Sequence, residues 1–147
     1  MRMRVNSRIL LVEDDPTIVK TLTEFLKLEG FFVSNTAGQT DAIAFLEEHE
    51  RETALVLLDV SLSEGNGFSA CAEIKAKYDL PVIFLTASGD EYSVVTGLDL
   101  GADDYIGKPF RPRELVSRIR SVLRRCGKAH NIIELGDVTI DTAGGTV

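Results

Sequence analysis

The chain has 147 residues with a formal net charge of −7, and 44% of its residues are hydrophobic and 27% charged. This size and composition suit a soluble protein with one domain and a fragment of a second, and the negative charge disfavours a nucleic-acid-binding surface within these residues. We expect a cytoplasmic protein, because the chain has no signal peptide and no apolar run near the roughly 18 residues of a membrane-spanning helix.

Five short segments are predicted to be the strands of a sheet. Each is bounded by turn residues, as is typical of strands buried on both faces. The segment at residues 54–59 ends on Asp59, a carboxylate that is costly to bury without a cation nearby. The segment before the first strand, residues 1–7, is predicted to be a disordered leader. In chain order the predicted strands are residues 8–13, 31–35, 54–59, 81–86 and 104–108.

Helical patterns lie between and after these strands. Asp15 is suited to cap the first helix, and Pro16 suits its first position. The last helix carries Glu114 and Arg118 at a spacing that places them next to each other. In chain order the predicted helices cover residues 15–30, residues 38–50, a segment after residue 66, a short segment with Val94, Val95 and Leu98, and residues 114–125.

Strands and helices in strict alternation predict an α/β fold with a five-stranded, doubly wound parallel sheet. Ligands of such sheets bind at the carboxyl ends of the strands. Four of the predicted strands end on polar residues, which are Glu13 with Asp14, Asp59, Thr86 and Lys108. Their convergence on one rim of the sheet predicts a functional site there.

The residue types on this rim suit phosphoryl transfer. Crowded carboxylates raise one another's pKa unless a cation joins them, and their hard oxygen atoms suit Mg²⁺. A carboxylate beside such an ion can attack phosphorus and form an aspartyl phosphate. Lys108 and the metal would neutralise the phosphoryl charge, and the Thr86 hydroxyl can donate a hydrogen bond to a phosphoryl oxygen.

Four sequence motifs resemble those of the receiver domain of bacterial two-component response regulators, and they occur in the same order along the chain. They are Leu-Leu-Val-Glu-Asp-Asp at 10–15, Leu-Leu-Asp at 57–59, Thr86-Ala87, and Gly-Ala-Asp-Asp-Tyr-Ile-Gly-Lys-Pro-Phe at 101–110. The receiver domain would span residues 8–126. The resemblance implies a flavodoxin-like sheet with the strand order 2-1-3-4-5.

The resemblance also implies a role for each residue on the rim. Asp59 would accept a phosphoryl group from a sensor histidine kinase, with Mg²⁺ as the cofactor. Glu13, Asp14 and the main-chain carbonyl of Ser61 would join Asp59 as metal ligands. Lys108 would pair with the phosphoryl group.

Thr86 and Tyr105 would form the switch pair of such a receiver. As Thr86 turns towards the phosphate, Tyr105 would swing inward and bias a face built from the last two predicted helices and the fifth strand. A homodimer through this face is the expected result of phosphorylation. Two departures bear on this expectation: Ser63 stands where the family usually has proline, and Val94 and Thr96 occupy a usually basic stretch of OmpR/PhoB-type regulators. The charged residues that still match this face are Asp103, Asp104 and Arg118.

The residues after the receiver domain indicate a second domain. Residues 127–131 are predicted to form a linker, and residues 132–147 a short β tail. Residues 133–141 resemble the opening strands of the winged-helix effector domain in OmpR/PhoB-type regulators. We therefore expect an N-terminal fragment of a DNA-binding effector domain, so that the longer protein would regulate transcription and contact DNA only through the missing part.

Two other functions stay open at this point. A stand-alone receiver would act through protein binding alone. A phosphatase of the haloacid-dehalogenase type would also form an aspartyl phosphate, but such enzymes carry a second aspartate where this chain has Ser61. We therefore expect no enzyme beyond slow self-dephosphorylation. The pattern G-x-G-x-x-A at residues 65–70 follows the third strand, not the first, and favours a loop and helix start over a dinucleotide site.

Overall fold

Five parallel strands form one sheet in the computed structural model, which describes residues 8–62, 64–87, 95–96, 99–108 and 110–126. The sheet order is β2-β1-β3-β4-β5, and each strand is parallel to its neighbours. The predicted fold class and strand order are both confirmed. The strands are β1 (Arg8–Val12), β2 (Phe32–Thr36), β3 (Thr53–Asp59), β4 (Val82–Ala87) and β5 (Asp104–Lys108).

Four helices with described bounds and one short 3-10 turn flank the strands, and the described residues 95, 96 and 99 are also helical. Asp15 caps the first helix, as predicted, because its carboxylate accepts a hydrogen bond from the Thr17 amide at 2.9 Å. The last helix begins two residues before its predicted start, since Pro112 is favourable in the first turn. The elements are α1 (Pro16–Leu28), α2 (Gln39–His49), the turn Glu50–Glu52, α3 (Gly67–Lys77) and α4 (Pro112–Cys126).

The hydrophobic core lies in two layers, one on each face of the sheet. Helices α1 and α4 cover one face with residues such as Leu26 and Ile119, and helices α2 and α3 cover the other with residues such as Leu46 and Ile74. All seven residues of β3 are buried, as expected for a central strand between two helical layers. Cys71 of α3 is also buried.

Some predicted elements lie outside the described residues. These are the leader at 1–7, the linker at 127–131 and the β tail at 132–147. Of the residues that mark the short predicted helix, Val94 and Leu98 lie outside the described residues, and Val95 is helical, as predicted. None of the described helices is both long enough and apolar enough to span a membrane.

Candidate functional site

The predicted site residues lie at the carboxyl end of the sheet. Asp59 ends the central strand β3 and is only 3% exposed, and Glu13, directly after β1, is 1% exposed. Thr86 is buried near the end of β4, and Lys108 ends β5. Strand β1 stops at Val12, one residue earlier than predicted, so Glu13 belongs to the β1–α1 loop.

Hydrogen bonds to the neighbouring strand hold the loop that carries Glu13 and Asp14. The Glu13 amide donates to the Thr36 carbonyl at 3.0 Å. The Asn35 side-chain amide donates to the carbonyls of Leu11 at 2.8 Å and Glu13 at 3.2 Å. No role was predicted for Asn35, although an amide side chain at the end of a strand is well suited to bind main-chain carbonyls.

One lysine joins the two buried carboxylates. The Lys108 Nζ atom lies 3.3 Å from Asp59 Oδ1 and 3.4 Å from Glu13 Oε1. Asp59 Oδ1 also accepts a hydrogen bond from the Ser61 amide at 3.1 Å, which ties the carboxylate to the loop after β3. The predicted convergence of the first, third and fifth strand ends is therefore observed at the level of atoms.

The environment of Glu13 favours its protonated form. Burial raises the pKa of Glu13 to about 7, and the nearby Asp59 carboxylate adds to the rise. The Asp15 amide, 3.1 Å from Glu13 Oε2, and the Lys108 ammonium oppose this shift of the pKa. The other oxygen, Glu13 Oε1, is buried, and within the described part of the chain its charge is compensated by Lys108 Nζ at 3.4 Å, so a bound metal ion would add to this compensation.

The carboxylates are arranged as a metal ion would need them. One oxygen each from Glu13, Asp14 and Asp59 can be chosen so that all three lie within 4.8 Å of one another. Hard oxygen donors of this kind suit Mg²⁺, which usually takes one or two carboxylates and keeps several waters. The buried Glu13 Oε1 and the crowding of negative charge both fit such an ion.

Thr86 and Tyr105 lie on adjacent strands with opposite exposure. Thr86 is buried and pairs in register with Gly107 of β5. Tyr105 is 37% exposed, and the Arg118 guanidinium carbon lies 5.8 Å from the centre of its ring. The tyrosine therefore occupies an outward position, and Arg118 packs beside it.

Arg118 is the centre of a charged cluster on this face. Its guanidinium donates to both carboxylate oxygens of Asp104, at 3.0 and 3.1 Å. It also pairs with Glu114 at 3.1 Å, which confirms the predicted contact within the last helix.

Asp103 was expected on the same charged face, but its carboxylate contacts the body of the domain. The oxygen Asp103 Oδ2 accepts hydrogen bonds from Lys75 Nζ at 3.1 Å and from the Val82 amide at 2.9 Å. These contacts fix the start of β5 against β4 and the end of α3. Asp103 therefore differs from Asp104, whose carboxylate is held by Arg118.

The G-x-G-x-x-A pattern begins a helix, as predicted. The Asn66 side-chain oxygen accepts hydrogen bonds from the amides of Phe68 at 2.8 Å and Ser69 at 3.1 Å, so Asn66 caps α3. Gly67 packs directly on the main chain after β3, where an added Cβ would lie 2.6 Å from the Asp59 carbonyl oxygen.

Most of this chain matches one family of known proteins. Residues 9–120 match the model of the response regulator receiver domain. The DNA-binding response regulator MtrA of Mycolicibacterium smegmatis is 41% identical over 138 residues, covering 93% of this chain and 60% of MtrA. The transcriptional regulatory protein CpxR of Klebsiella pneumoniae is 42% identical over 137 residues, covering 92% of this chain and 58% of CpxR. The chain thus spans about 60% of the length of these two relatives.

Solved structures match over the same region. The receiver domain of the TMAO respiratory system response regulator TorR is 32% identical, with a TM-score of 0.75 over 81% of this chain and 98% of that one. The BeF3-activated receiver domain of RstA from Klebsiella pneumoniae is 29% identical, with a TM-score of 0.74 over 80% of this chain and 98% of that one. Sequence, fold and the acidic rim agree, and the chain belongs to the response regulator receiver domain family.

Proposed function

We propose that the chain is a phosphorylation-dependent switch in which Asp59 accepts a phosphoryl group from a sensor histidine kinase. The observation that carries this proposal is the contact of the Lys108 ammonium with two buried carboxylates, 3.3 Å from Asp59 and 3.4 Å from Glu13. A carboxylate with a cation beside it and further acidic ligands within reach is equipped to act as a nucleophile towards phosphorus.

In the proposed reaction, a carboxylate oxygen of Asp59 forms a bond to phosphorus while the bond from phosphorus to the kinase imidazole breaks. The electron pair of that bond stays on the imidazole nitrogen, which then takes up a proton. Mg²⁺ would be held by Glu13, Asp14, Asp59 and the main-chain carbonyl of Ser61, and when bound it would neutralise charge on the transferred group. Lys108 would change partner from Asp59 to a phosphoryl oxygen.

The proposed output runs from Thr86 to Tyr105. The Thr86 hydroxyl would bind a phosphoryl oxygen, and Tyr105 would leave its place beside Arg118 and turn inward. The phosphate can shift this equilibrium only by the difference in its interactions with the two states. The altered face of β5, α4 and the short predicted helix that contains Val95 would then form the interface of a homodimer.

We further propose that the longer protein regulates transcription in the cytoplasm, and that it contacts DNA through a winged-helix effector domain. The relatives support this interpretation, since MtrA is a DNA-binding response regulator and CpxR is a transcriptional regulatory protein. The proposal includes no enzymatic turnover beyond slow self-dephosphorylation, because Ser61 offers no carboxyl group to act as a general acid.

The test is the intact mass of the chain after incubation with phosphoramidate, with and without Mg²⁺. We expect one added phosphoryl group in the wild type with Mg²⁺ and none in the Asp59→Asn variant. Asp41→Asn, at an exposed position near the start of α2, is the matched control and should be phosphorylated like the wild type. A folded, Mg²⁺-binding wild type that gains no mass would contradict the proposed function.

A further inference from the structure

The loop after Asp59 is joined to the start of helix α2 by side-chain hydrogen bonds. This β3–α3 loop covers residues 60–66, of which residue 63 lies outside the described part. The Glu64 carboxylate accepts hydrogen bonds from the Thr40 amide at 3.0 Å and from the Thr40 hydroxyl at 2.9 Å. The Glu64 carbonyl accepts a further bond from the Gln39 amide at 3.1 Å.

Glu64 supplies the cap that helix α2 lacks in its own sequence. The residue before the helix is Gly38, which has no side chain to bind the free amides of the first turn. A carboxylate at this place satisfies those amides and interacts favourably with the helix dipole. The Thr40 amide in turn lowers the pKa of Glu64, so the carboxylate stays charged at neutral pH.

The Gln39 side chain also holds this loop, and it connects the loop to helix α3. Its side-chain oxygen accepts a hydrogen bond from the Asn66 amide at 3.0 Å. Its side-chain nitrogen donates to Ser69 Oγ at 3.1 Å and to Glu73 Oε1 at 3.3 Å, both on α3. We call the four residues Gln39, Thr40, Glu64 and Asn66 the loop clasp.

Two glycines allow the close approach that the loop clasp needs. A Cβ atom on Gly38 would lie 2.5 Å from Glu64 Oε1 and 3.0 Å from the Glu64 carbonyl oxygen. Gly65 has a φ of +85°, and a Cβ atom there would lie 2.4 Å from the Cβ of Gln39. Side chains at either position would push the loop away from α2, so the contact depends on both glycines.

The ends of the loop are fixed independently of the clasp. The Val60 amide donates to the Leu85 carbonyl at 3.1 Å, and the Gly67 amide donates to the Val60 carbonyl at 3.3 Å. The clasp therefore acts on the residues between these anchors. Ser61 lies within this stretch, and its amide binds the Asp59 carboxylate.

We propose that Gln39 and Glu64 are positioning residues that hold the β3–α3 loop in the conformation that Mg²⁺ and the phosphoryl group require. The inference rests on the proposed function, in which the Ser61 carbonyl is a metal ligand. A proline at position 63 would restrict this loop through its backbone, but this chain has Ser63 there. In this chain the loop clasp restricts the β3–α3 loop instead, through side chains of α2 and of the loop itself.

The test compares four variants of the 147-residue chain with the wild type. Mg²⁺ affinity is measured by titration calorimetry, and phosphorylation by phosphoramidate is followed over a range of Mg²⁺ concentrations. We expect Glu64→Ala and Gln39→Ala to weaken Mg²⁺ binding about 10-fold, the lower end of what outer partners of metal ligands contribute. Saturating Mg²⁺ should restore most of the phosphorylation rate, because the lost contact orders the metal site and does not touch the phosphoryl group.

Glu64→Gln separates positioning from charge. A glutamine keeps an oxygen that accepts a bond from the Thr40 amide but carries no negative charge, so its Mg²⁺ affinity should stay within about twofold of the wild type. Glu24→Ala removes an exposed acidic group from α1, far from the clasp in sequence, and should change nothing. Amide hydrogen exchange in the metal-free proteins adds a readout without Mg²⁺: the Thr40 and Asn66 amides should exchange faster in the Glu64→Ala protein.

Three results would overturn the inference. One is a wild type that is phosphorylated with Mg²⁺ while Glu64→Ala and Gln39→Ala retain its Mg²⁺ affinity and rate. Another is a Glu64→Gln protein as weak as Glu64→Ala, which would assign the effect to charge. A third is a wild type that neither binds Mg²⁺ nor takes up a phosphoryl group, which overturns the proposed function as well. Should Glu64→Ala fail to fold, Thr40→Val removes one clasp bond, keeps the Glu64 charge, and is expected to weaken Mg²⁺ binding in the same direction.

Discussion

The Lys108 ammonium lies 3.3 Å from the Asp59 carboxylate, in a position that also brings it within 3.4 Å of Glu13. A single cation thus compensates two carboxylates that are almost fully buried. Asp59 and Lys108 are 49 residues apart in sequence, so the contact depends on the order of the strands and not on local structure.

Removing the Lys108 charge should lower stability in the absence of metal. We expect Lys108→Met to lower the free energy of unfolding by about 1–3 kcal/mol, because the buried carboxylates lose their cation but can respond by taking up a proton. The measurement is urea unfolding at pH 7.5 with a chelator. The control is Lys77→Met, which breaks an exposed pair with Glu73 and should lower stability clearly less than Lys108→Met. Equal effects of the two substitutions would contradict the central role of Lys108.

The stability of the metal-free protein should depend on pH through Glu13. Its pKa is about 7 in the folded protein, above the ordinary glutamate value of 4.5, so the folded state keeps a proton that the unfolded state releases. The contribution of this group to stability therefore falls as pH rises from about 4.5 to 7 and then levels off.

Glu13→Gln removes this titration. We expect the variant to gain on the order of 2 kcal/mol of stability relative to the wild type between pH 5 and pH 8, since one pKa unit corresponds to about 1.4 kcal/mol. Urea unfolding with a chelator at the two pH values gives the difference, and Glu24→Gln, at an exposed position, corrects for the substitution itself. A constant difference between variant and wild type would count against the raised pKa.

Gly67 should tolerate a side chain poorly, because it packs on the main chain beside the proposed phosphorylation site. A Cβ atom there would lie 2.6 Å from both the Asp59 carbonyl oxygen and the Val60 Cα atom. We expect Gly67→Ala to cost about 1–3 kcal/mol, as the loop must shift to avoid the overlap. Gly107→Ala is the control, since a Cβ there has no atom of the described residues within 4 Å. Thermal unfolding followed by circular dichroism should show a clear drop in Tm for the first variant alone.

Thr86 should be needed for the response to phosphorylation and not for phosphorylation itself. We expect Thr86→Ala to accept the phosphoryl group at a rate within a few-fold of the wild type, since Asp59 and Lys108 are unchanged. The NMR signals of the Tyr105 ring should shift on phosphorylation in the wild type and much less in the variant. Thr86→Ser, which keeps the hydroxyl, should restore most of the shift. A full response of Tyr105 in the Thr86→Ala protein would rule out the proposed path.

The sequence was sufficient to predict the rim of the site because strand polarity determines it. Strands that end on Asp59 and Lys108 must bring these residues to the same edge once the strands are parallel. Local rules also predicted the Asp15 cap and the Glu114–Arg118 pair, since each involves residues within four positions of one another. Strand and helix ends differed by one or two residues, as is usual where an element frays.

Contacts that depend on the path of a loop were not predicted. Asn35, Gln39 and Glu64 each bind partners more than 20 residues away, and no pattern in the chain marks them. The direction of the Asp103 carboxylate was missed for the same reason, because Lys75 and Val82 meet it only after α3 and β4 have packed. Sequence patterns report which face a residue lies on, and they do not report which distant polar atom will reach it.

The sheet order has a consequence for how far an event at Asp59 must be transmitted. Asp59 pairs in register with Leu85 of β4, and the next residue, Thr86, pairs with Gly107 of β5. Adjacent strands lie about 4.8 Å apart, so β3 and the edge strand that carries Tyr105 are separated by roughly 10 Å. Only β4 lies between these two strands, so an event at Asp59 has to cross a single strand to reach the edge of the sheet.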